Sequence, residues 1–229
     1  RAGCVDGDGN EINRNRLIAI AAYIALGGKK GGTIVTDSVT SDGLKKYIQE
    51  DLGGVHYRYR RGYKNVINKA IELCNQGIDC PLAIETSGHA ALRENYFLDD
   101  GAYLATKIII EVAKGTDIKA LLSTMEMPVE ESEYRFNILD KDFRTYGEKV
   151  IADLEQFAES RDGYVIADDN REGIRVSTPN GWFLLRLSVH DPVMPMNFES
   201  NNVGGIEIMK NELREFFKSF SELEMPKDF

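Results

Sequence analysis

Cysteine is scarce in this chain, and its spacing suits neither a disulfide framework nor a metal site. The three cysteines are Cys4, Cys74 and Cys80, and no Cys-x-x-Cys pair occurs. An odd and sparse set is typical of reduced thiols in a cytosolic protein. We therefore expect a cytoplasmic protein in which the cysteines serve as small buried side chains.

Long apolar runs are also missing. No segment reaches the ~20 apolar residues of a membrane-spanning helix, and the first residues lack the apolar core of a signal peptide. We therefore expect no membrane partner. Because the chain starts at Arg1 and not at a methionine, we also expect it to begin partway through a longer protein.

Positive charge is in deficit, since the formal net charge is -9. A protein that binds nucleic acid usually presents a dense basic patch. The densest basic stretch here is Arg58-Tyr59-Arg60-Arg61, whose pattern suits the edge of a strand. We therefore expect no nucleic-acid partner.

What the chain does have is the composition of a globular protein, with 42% hydrophobic and 28% charged residues. Apolar strand patterns alternate with amphipathic helix patterns up to residue 122, beginning with the strand at residues 33–36. Asn15 is predicted to cap a helix that ends at Gly27-Gly28. Strand–helix alternation predicts a mainly parallel sheet with helices on both faces.

The pattern changes after residues 123–132, which we interpret as a linker. Beyond it, Asn180-Gly181 is a strong hairpin signal, and amphipathic helices are predicted at residues 143–157 and 206–217. The predicted fold class is therefore α/β: a mainly parallel α/β sheet domain, followed by a smaller α+β domain with an antiparallel sheet. The predicted divisions are residues 1–27, 28–122 and 133–229.

The first polar motif is Glu85-Thr86-Ser87-Gly88-His89, which directly follows the apolar strand at residues 81–84. Ligands of α/β proteins bind at the carboxyl ends of parallel strands. A carboxylate, a hydroxyl and an imidazole together suit a polyhydroxy ligand. A surface turn with Glu85 in a salt bridge explains the same residues about equally well.

The second motif is Arg186-Leu187-Ser188-Val189-His190-Asp191-Pro192, at the exit of another apolar strand. Arginine offers a planar fork to phosphate oxygens, and Ser188 and His190 add donors. Taken alone, the motif is explained better by an Arg186–Asp191 ion pair and a capping or core histidine.

Two further patterns are considered and set aside. Residues 6–10, Asp-Gly-Asp-Gly-Asn, lack the glycine and glutamate spacing of a calcium-binding EF-hand, so a hairpin turn is favoured. Ser87 and His89 could serve a hydrolase, but the Gly-x-Ser-x-Gly elbow is absent, and no sequence signal places a carboxylate beside His89.

In combination, the two motifs resemble the α-D-phosphohexomutase family, of the phosphomannomutase/phosphoglucomutase type. Its sugar-binding loop reads Gly-Glu-x-Ser-Gly-His and is followed by Asp-Asp-Gly before a helix, as at residues 85–89 and 99–101. Its phosphate loop reads Arg-Pro-Ser-Gly/Asn-Thr-Glu-Pro, as at residues 186–192. The residues around 1–10, 13–17 and 181–185 also fit, with Arg1 as the arginine that ends the family's Asp-x-Asp-x-Asp-Arg metal loop.

The resemblance implies a division of labour along the chain. Residues 1–27 would be the tail of the metal-loop domain, residues 28–122 the sugar-recognition domain and residues 133–229 the phosphate-binding domain. The implied substrate-binding residues are Glu85, Ser87, His89, Arg186, Ser188 and His190. The chain departs from the family pattern at Val39, Tyr63, Leu187, Val189 and His190, which indicates a divergent subgroup.

The implied activity is the interconversion of hexose 1-phosphate and 6-phosphate, of mannose or glucose, through a phosphoserine and a bisphosphate intermediate. The phosphoserine and the Mg²⁺ ligands would lie upstream of Arg1, so the chain alone is expected to be inactive, with no catalytic or metal residues of its own. Its implied partners are hexose phosphates and the N-terminal domains of the same protein. The alternative is a non-catalytic sugar-phosphate-binding module.

Overall fold

The computed structural model describes residues 1–12 and 14–229, so Asn13, part of the segment that resembles the family, lies outside the described residues. The chain divides into two units, Arg1–Glu126 and Met127–Phe229. The first contains helix α1 (Arg14–Leu26), which lies within the residues predicted as the tail of a preceding domain. The division at 28–122 and 133–229 stays a prediction.

The first unit is built on the four-stranded sheet β4-β3-β5-β6, in which β3, β4 and β5 are parallel and β6 is antiparallel. A two-stranded hairpin, β1-β2, precedes it. The elements of this unit, in chain order, are β1 Cys4–Val5, β2 Glu11–Ile12, α1 Arg14–Leu26, β3 Thr33–Asp37, α2 Asp42–Lys46, β4 Val55–Tyr59, α3 Tyr63–Asn75, β5 Leu82–Ile84, β6 Ala90–Leu92, α4 Gly101–Ala113 and α5 Ile118–Leu121.

Helices cover both faces of this sheet, as predicted. Ile34 and Ile84 belong to the core cluster that includes α1, α2 and α4. Val35 and Ala83, the alternate residues of the same strands, belong to a second cluster with α3. Side chains of successive strand residues point to opposite faces. Each apolar strand is therefore buried on both sides, which explains its unbroken apolar run.

The start of α1 differs from the prediction. The helix begins at Arg14, so Asn15 lies inside it and is not its cap. The Asn15 side chain is buried, and its oxygen accepts a hydrogen bond from the Ser41 N–H at 3.0 Å. Ser41 in turn caps α2 by accepting from the Leu44 N–H. Asn15 therefore ties α1 to the turn that follows β3.

The second unit contains the antiparallel sheet β12-β7-β11-β10-β9-β8. Helices α6 and α7 share one core cluster with this sheet. The predicted fold class is therefore confirmed for both units. The elements of this unit are β7 Glu130–Ile138, α6 Phe143–Glu159, β8 Val165–Ile166, β9 Ile174–Thr178, β10 Gly181–Leu185, β11 Val193–Ser200, α7 Gly205–Phe217 and β12 Leu223–Glu224.

One segment interpreted as linker is partly a strand. β7 begins at Glu130 and pairs with β11 along its length and with β12 near its end. Its charged residues alternate with residues turned towards the core, which conceals the strand in the sequence. No helix within residues 1–12 and 14–229 has the length and apolar character needed to cross a membrane.

Candidate functional site

The register of the parallel sheet brings two carboxylates to the same edge. Thr36 of β3 lies opposite Ile84 of β5, so Asp37 and Glu85 come next on neighbouring strands. This is the carboxyl edge of the parallel strands, where α/β proteins bind ligands. Asp37 is 0% exposed and Glu85 4% exposed. Buried carboxylates need hydrogen-bond donors, and the surrounding loops supply them.

Glu85 takes its donors from the loop after β4 and from its own loop. Its Oε1 accepts from the Gly62 N–H at 2.6 Å, and its Oε2 accepts from the Ser87 hydroxyl at 3.1 Å. Gly62 is the residue before α3. The carboxylate therefore lies at the amino end of that helix, where unpaired N–H groups and the helix dipole stabilise negative charge.

Asp37 takes its donors from Thr86. Its Oδ1 accepts from the Thr86 N–H at 3.1 Å, and its Oδ2 accepts from the Thr86 hydroxyl at 2.6 Å. Burial raises the pKa of Asp37 to about 6, and the nearby Glu85 carboxylate adds to the rise, while the Thr86 donors and Arg61 oppose it. The Arg61 Nε lies 4.0 Å from Oδ2. Loss of water disfavours the charged form more than these partners favour it.

His89 is held by partners on both ring nitrogens. Its Nδ1 lies 2.7 Å from Asp99 Oδ2, and its Nε2 lies 2.8 Å from the Arg1 Nε. Because a guanidinium can only donate, Nε2 accepts, so the ring proton belongs on Nδ1 and is donated to Asp99. The Tyr63 ring stacks on the imidazole at 4.8 Å between centroids. The orientation and the tautomer of His89 are both set by these neighbours.

Two glycines allow the first residues of the chain to lie against this loop. The Ala2 N–H donates to the Gly88 carbonyl at 2.9 Å. A Cβ at Gly88, whose φ is +85°, would lie 2.3 Å from the Ala2 oxygen, and one at Gly101 would lie 2.4 Å from the Arg1 oxygen. Such contacts require glycine at both positions, and they bring Arg1 to His89.

The second motif forms a loop between β10 and β11. Arg186 is 8% exposed, and its N–H donates to the Pro195 carbonyl at 3.1 Å. Ser188 is half-buried; its N–H donates to Val193, and its hydroxyl accepts from the Asp191 N–H at 3.3 Å. His190 is exposed. The three predicted phosphate-binding residues thus lie on one loop, from a buried guanidinium to an exposed imidazole.

This loop is anchored to helix α6. The Arg144 Nη2 donates to the Val189 carbonyl at 2.9 Å. Leu187 packs so closely on Gly147 that a Cβ there would lie 2.6 Å from the leucine Cδ1. Leu187 and Val189, which depart from the family pattern, therefore make structural contacts here.

Glycine is also required beside Arg186. Gly173 has φ +59°, and a Cβ there would lie 2.0 Å from the Leu185 oxygen and 2.7 Å from the Arg186 Cα. Both neighbours are backbone atoms, so neither can move aside cheaply. The close approach of the segment before β9 fixes the point at which Arg186 leaves β10.

The face of the sheet that carries Arg186 also carries a polar cluster that the sequence did not predict. The Trp182 Nε1 donates to Glu199 Oε2 at 2.6 Å, and the Arg175 guanidinium lies 3.5 Å from the centre of the indole ring. Trp182 and Arg186 are four residues apart on one side of β10, because alternate strand residues share a face. A buried cation–π contact therefore lies on the same side of β10 as Arg186, close to the start of the loop at residues 186–192.

The acidic turn forms a hairpin and shows no metal-binding arrangement. Asp6 Oδ1 accepts from the N–H groups of Asp8 and Asn10, at 3.0 and 2.8 Å, and Asp6 Oδ2 accepts from the Asn10 side chain. These bonds close the turn between β1 and β2. Within the part of the chain that the structure describes, no group of three or more His, Cys, Asp or Glu side chains could hold a metal ion.

The comparisons with known proteins agree with this architecture. A family model described as phosphoglucomutase/phosphomannomutase, alpha/beta/alpha domain III, matches residues 13–127. This chain belongs to the phosphoglucomutase/phosphomannomutase family. The resemblance drawn from the two loops is therefore confirmed, and the family assignment covers the whole sheet that presents Glu85 and Asp37.

Individual relatives of this family extend the similarity over nearly the whole chain. A phosphomannomutase/phosphoglucomutase from Pseudomonas syringae pv. tomato is 29% identical over 99% of this chain, which covers 46% of that relative. A phosphoglucomutase from Neisseria gonorrhoeae is 25% identical, with 99% and 47% covered. The chain therefore spans about half the length of the curated relatives it matches.

A solved structure gives the same result for the fold. A phosphoglucomutase/phosphomannomutase family protein from Burkholderia thailandensis superposes with a TM-score of 0.78 at 26% identity, covering 98% of this chain and 45% of that one. The roles of the six proposed substrate-binding residues stay predictions.

Three residues around the first loop were missed as site residues. Asp37 lies just beyond the predicted strand at residues 33–36 and was given no role, Arg1 was assigned only to a metal-loop motif, and Asp99 only to the Asp-Asp-Gly that precedes a helix. In the structure, Asp100 caps α4 by accepting from the Tyr103 N–H at 2.9 Å, which leaves Asp99 for His89. The sequence carried no usable signal for this contact, because it is the short antiparallel return of β6 in the structure that brings residue 99 back towards residue 89.

Proposed function

We propose that this chain is the sugar- and phosphate-binding part of an enzyme that interconverts hexose 1-phosphate and 6-phosphate, of mannose or glucose. The observation that carries the proposal is the loop at residues 85–89, displayed at the carboxyl edge of parallel strands. Membership of the phosphoglucomutase/phosphomannomutase family supports it. Phosphoryl transfer depends mainly on positioning and on neutralising charge, and these are the tasks that such loops can perform.

The two loops would have distinct tasks. Glu85 and Ser87 would bind ring hydroxyls, the carboxylate as acceptor and the hydroxyl as donor or acceptor. His89 would accept from a ligand hydroxyl through Nε2 in place of the Arg1 guanidinium, with Asp99 holding its orientation through Nδ1. Arg186, Ser188 and His190 would bind the phosphate that is not reacting, because a guanidinium fork suits phosphate oxygens.

The remaining chemistry would come from outside residues 1–229. A phosphoserine would exchange its phosphoryl group with the sugar by way of a bisphosphate intermediate. Mg²⁺, bound by residues upstream of Arg1, would neutralise charge on the transferring group. We therefore assign no metal-dependent step to this chain. A cytoplasmic location accords with the free cysteines Cys4, Cys74 and Cys80.

The bonds around Ser87 and His89 argue against the hydrolase alternative. The Ser87 hydroxyl donates to Glu85, and both nitrogens of His89 are engaged, one with Asp99 and the other with Arg1. A serine nucleophile needs a hydrogen bond to its histidine base. A non-catalytic sugar-phosphate-binding module remains the second candidate, and measured turnover distinguishes it from a mutase.

The proposal is tested by introducing Glu85→Gln and Arg186→Ala, each by itself, into the full-length protein of which this chain is a part. Each change removes a charged partner, so kcat/KM for mannose 1-phosphate should fall by at least roughly tenfold. Inorganic phosphate should inhibit Arg186→Ala less than the parent, and Glu85→Gln as much as the parent. Arg135→Ala, on the exposed side of β7, is the matched control. Parent kinetics in both variants would refute the assignment.

A further inference from the structure

Thr86 is the point at which the sugar-reading loop joins the neighbouring strand. Its N–H and its hydroxyl both bind the Asp37 carboxylate, at 3.1 and 2.6 Å, across 49 residues of sequence. Hydrogen bonds to a charged acceptor are stronger than neutral ones. A single side chain at the end of β3 therefore restrains both the backbone and the side chain of residue 86.

The loop itself is short and narrow. The Glu85 N–H donates to the His89 carbonyl at 2.9 Å, and the Gly88 N–H donates to the Glu85 carbonyl at 3.0 Å. Glu85 and Ser87, the proposed sugar-binding residues, flank Thr86 on either side. Any displacement of Thr86 is therefore passed directly to both.

The burial of Asp37 is hard to explain by stability alone. A fully buried carboxylate beside a second carboxylate is costly, even with Arg61 4.0 Å away. Local strain or cost of this kind is retained where it fixes functional geometry. Because both hydrogen bonds come from Thr86, Thr86 is the residue that this carboxylate holds in place.

We propose that Asp37 is a positioning residue for the sugar-reading loop, acting through Thr86 to fix the places of Glu85 and Ser87. This rests on the function proposed for that loop. Asp37 touches no substrate in this account. It sets the separation of the two hydroxyl-binding groups, and a ligand with a rigid ring is sensitive to that separation.

The test compares three variants of the 229-residue chain. Thr86→Val removes the hydroxyl and keeps the shape, and Thr86→Ser keeps the hydroxyl. Thr106→Val is the control, since the Thr106 hydroxyl donates only locally, to the Ala102 carbonyl of its own helix at 2.9 Å. The first readout is hydrogen exchange of the Gly88 amide without ligand, and the second is the affinity for mannose 6-phosphate and for inorganic phosphate.

In Thr86→Val the Gly88 amide should exchange at least about tenfold faster than in the parent. The affinity for mannose 6-phosphate should fall by at least about tenfold, as expected for a lost hydrogen bond to a charged group. Inorganic phosphate affinity should stay at the parent value. Thr86→Ser and Thr106→Val should match the parent in every readout. The exchange rate of the Val35 amide in β3 shows whether a variant is destabilised throughout the first unit.

A parent-like Gly88 rate in Thr86→Val would overturn the proposal. So would a faster Gly88 rate with unchanged mannose 6-phosphate affinity, since the contact would then be merely structural. If the unaltered chain binds no mannose 6-phosphate, the function proposed for the loop fails. The Gly88 rates still decide, in that case, whether Asp37 holds the loop.

Discussion

Replacing Asp37 by asparagine should remove a pH-dependent destabilisation of the first unit. Asparagine has the same shape, its oxygen can accept from the Thr86 N–H, and its amide can donate to the Thr86 hydroxyl. The variant therefore keeps both contacts and loses the buried charge. The groups facing this charge are the Glu85 carboxylate, the Arg61 guanidinium and the Thr86 donors.

The sign follows from the raised pKa of Asp37. The folded state holds the proton more tightly than the unfolded state, so the parent is most stable, relative to the variant, when Asp37 is protonated. The cost of its charge is absent below pH 3.8, grows as pH rises and is complete above about pH 6. A rise from 3.8 to about 6, at ~1.36 kcal/mol per pH unit, corresponds to about 3 kcal/mol.

The assay is hydrogen exchange of core amides at several pH values, corrected for intrinsic exchange rates. The Val35 amide in β3 reports the opening free energy of the first unit, and the Met196 amide in β11 gives a reference in the second. The advantage of Asp37→Asn over the parent at Val35 should grow by about 2.4 kcal/mol between pH 4 and pH 7, because about 0.6 kcal/mol of the difference is already present at pH 4. An advantage that stays constant over this range, or shrinks, would refute the reasoning.

Four further outcomes are expected. Gly173→Ala should destabilise the second unit by at least about 1 kcal/mol in urea unfolding, whereas Gly7→Ala, with open space around it, should be close to neutral. Limited proteolysis should cut first within residues 122–129, and an early cut inside 33–112 would contradict this. Asp6→Asn in the full-length protein should leave the proposed Mg²⁺ binding unchanged, and a large loss of Mg²⁺ affinity would place the metal at that turn. The 229-residue chain alone should show no interconversion of mannose 1- and 6-phosphates, and measurable turnover would disprove this.

The main strands and helices could be predicted because their signals are local. β3 and β5 are buried on both faces, so their apolar runs are unbroken in the sequence. The Asn180-Gly181 turn marks a hairpin by itself, and β9 and β10 do pair antiparallel around it. The positions of the loops that follow β5 and β10, at residues 85–89 and 186–192, could therefore be predicted from the sequence.

Elements with one exposed face were harder to recognise. β7 carries Glu130, Glu131, Glu133 and Arg135, and none of its nine residues was predicted as strand. Residues 130–132 were interpreted as linker, and residues 133–138 lay outside any predicted element. Its pairing with β11 satisfies the backbone, so the side chains on the outer face can be charged. β6, with the residues Ala-Ala-Leu, is too short to give a periodic signal.

The partners within the site could not be predicted from local patterns. The Asp37–Thr86 contact depends on the register of β3 against β5, and the His89–Asp99 contact depends on the return of β6. Neither register can be inferred from the sequence of one segment alone. The sequence predicts which side chains bind the ligand, and their roles stay predictions, while the side chains that hold them in place emerged only from the structure.

The packing of Arg1 against Gly101 and of Ala2 against Gly88 has a consequence for the order of folding during synthesis. The contacts of Arg1 with His89 and of Ala2 with Gly88 join residues more than 80 positions apart. Until the turn before α4 has left the ribosome, Arg1 and Ala2 lack their partners in that turn and in the loop at residues 85–89. Contacts of such long range form late, because closing the intervening chain costs entropy before any contact is gained. His89 should therefore acquire its Arg1 partner after the sheet beneath it has formed, and the earliest part of this chain to be made should be among the last to settle.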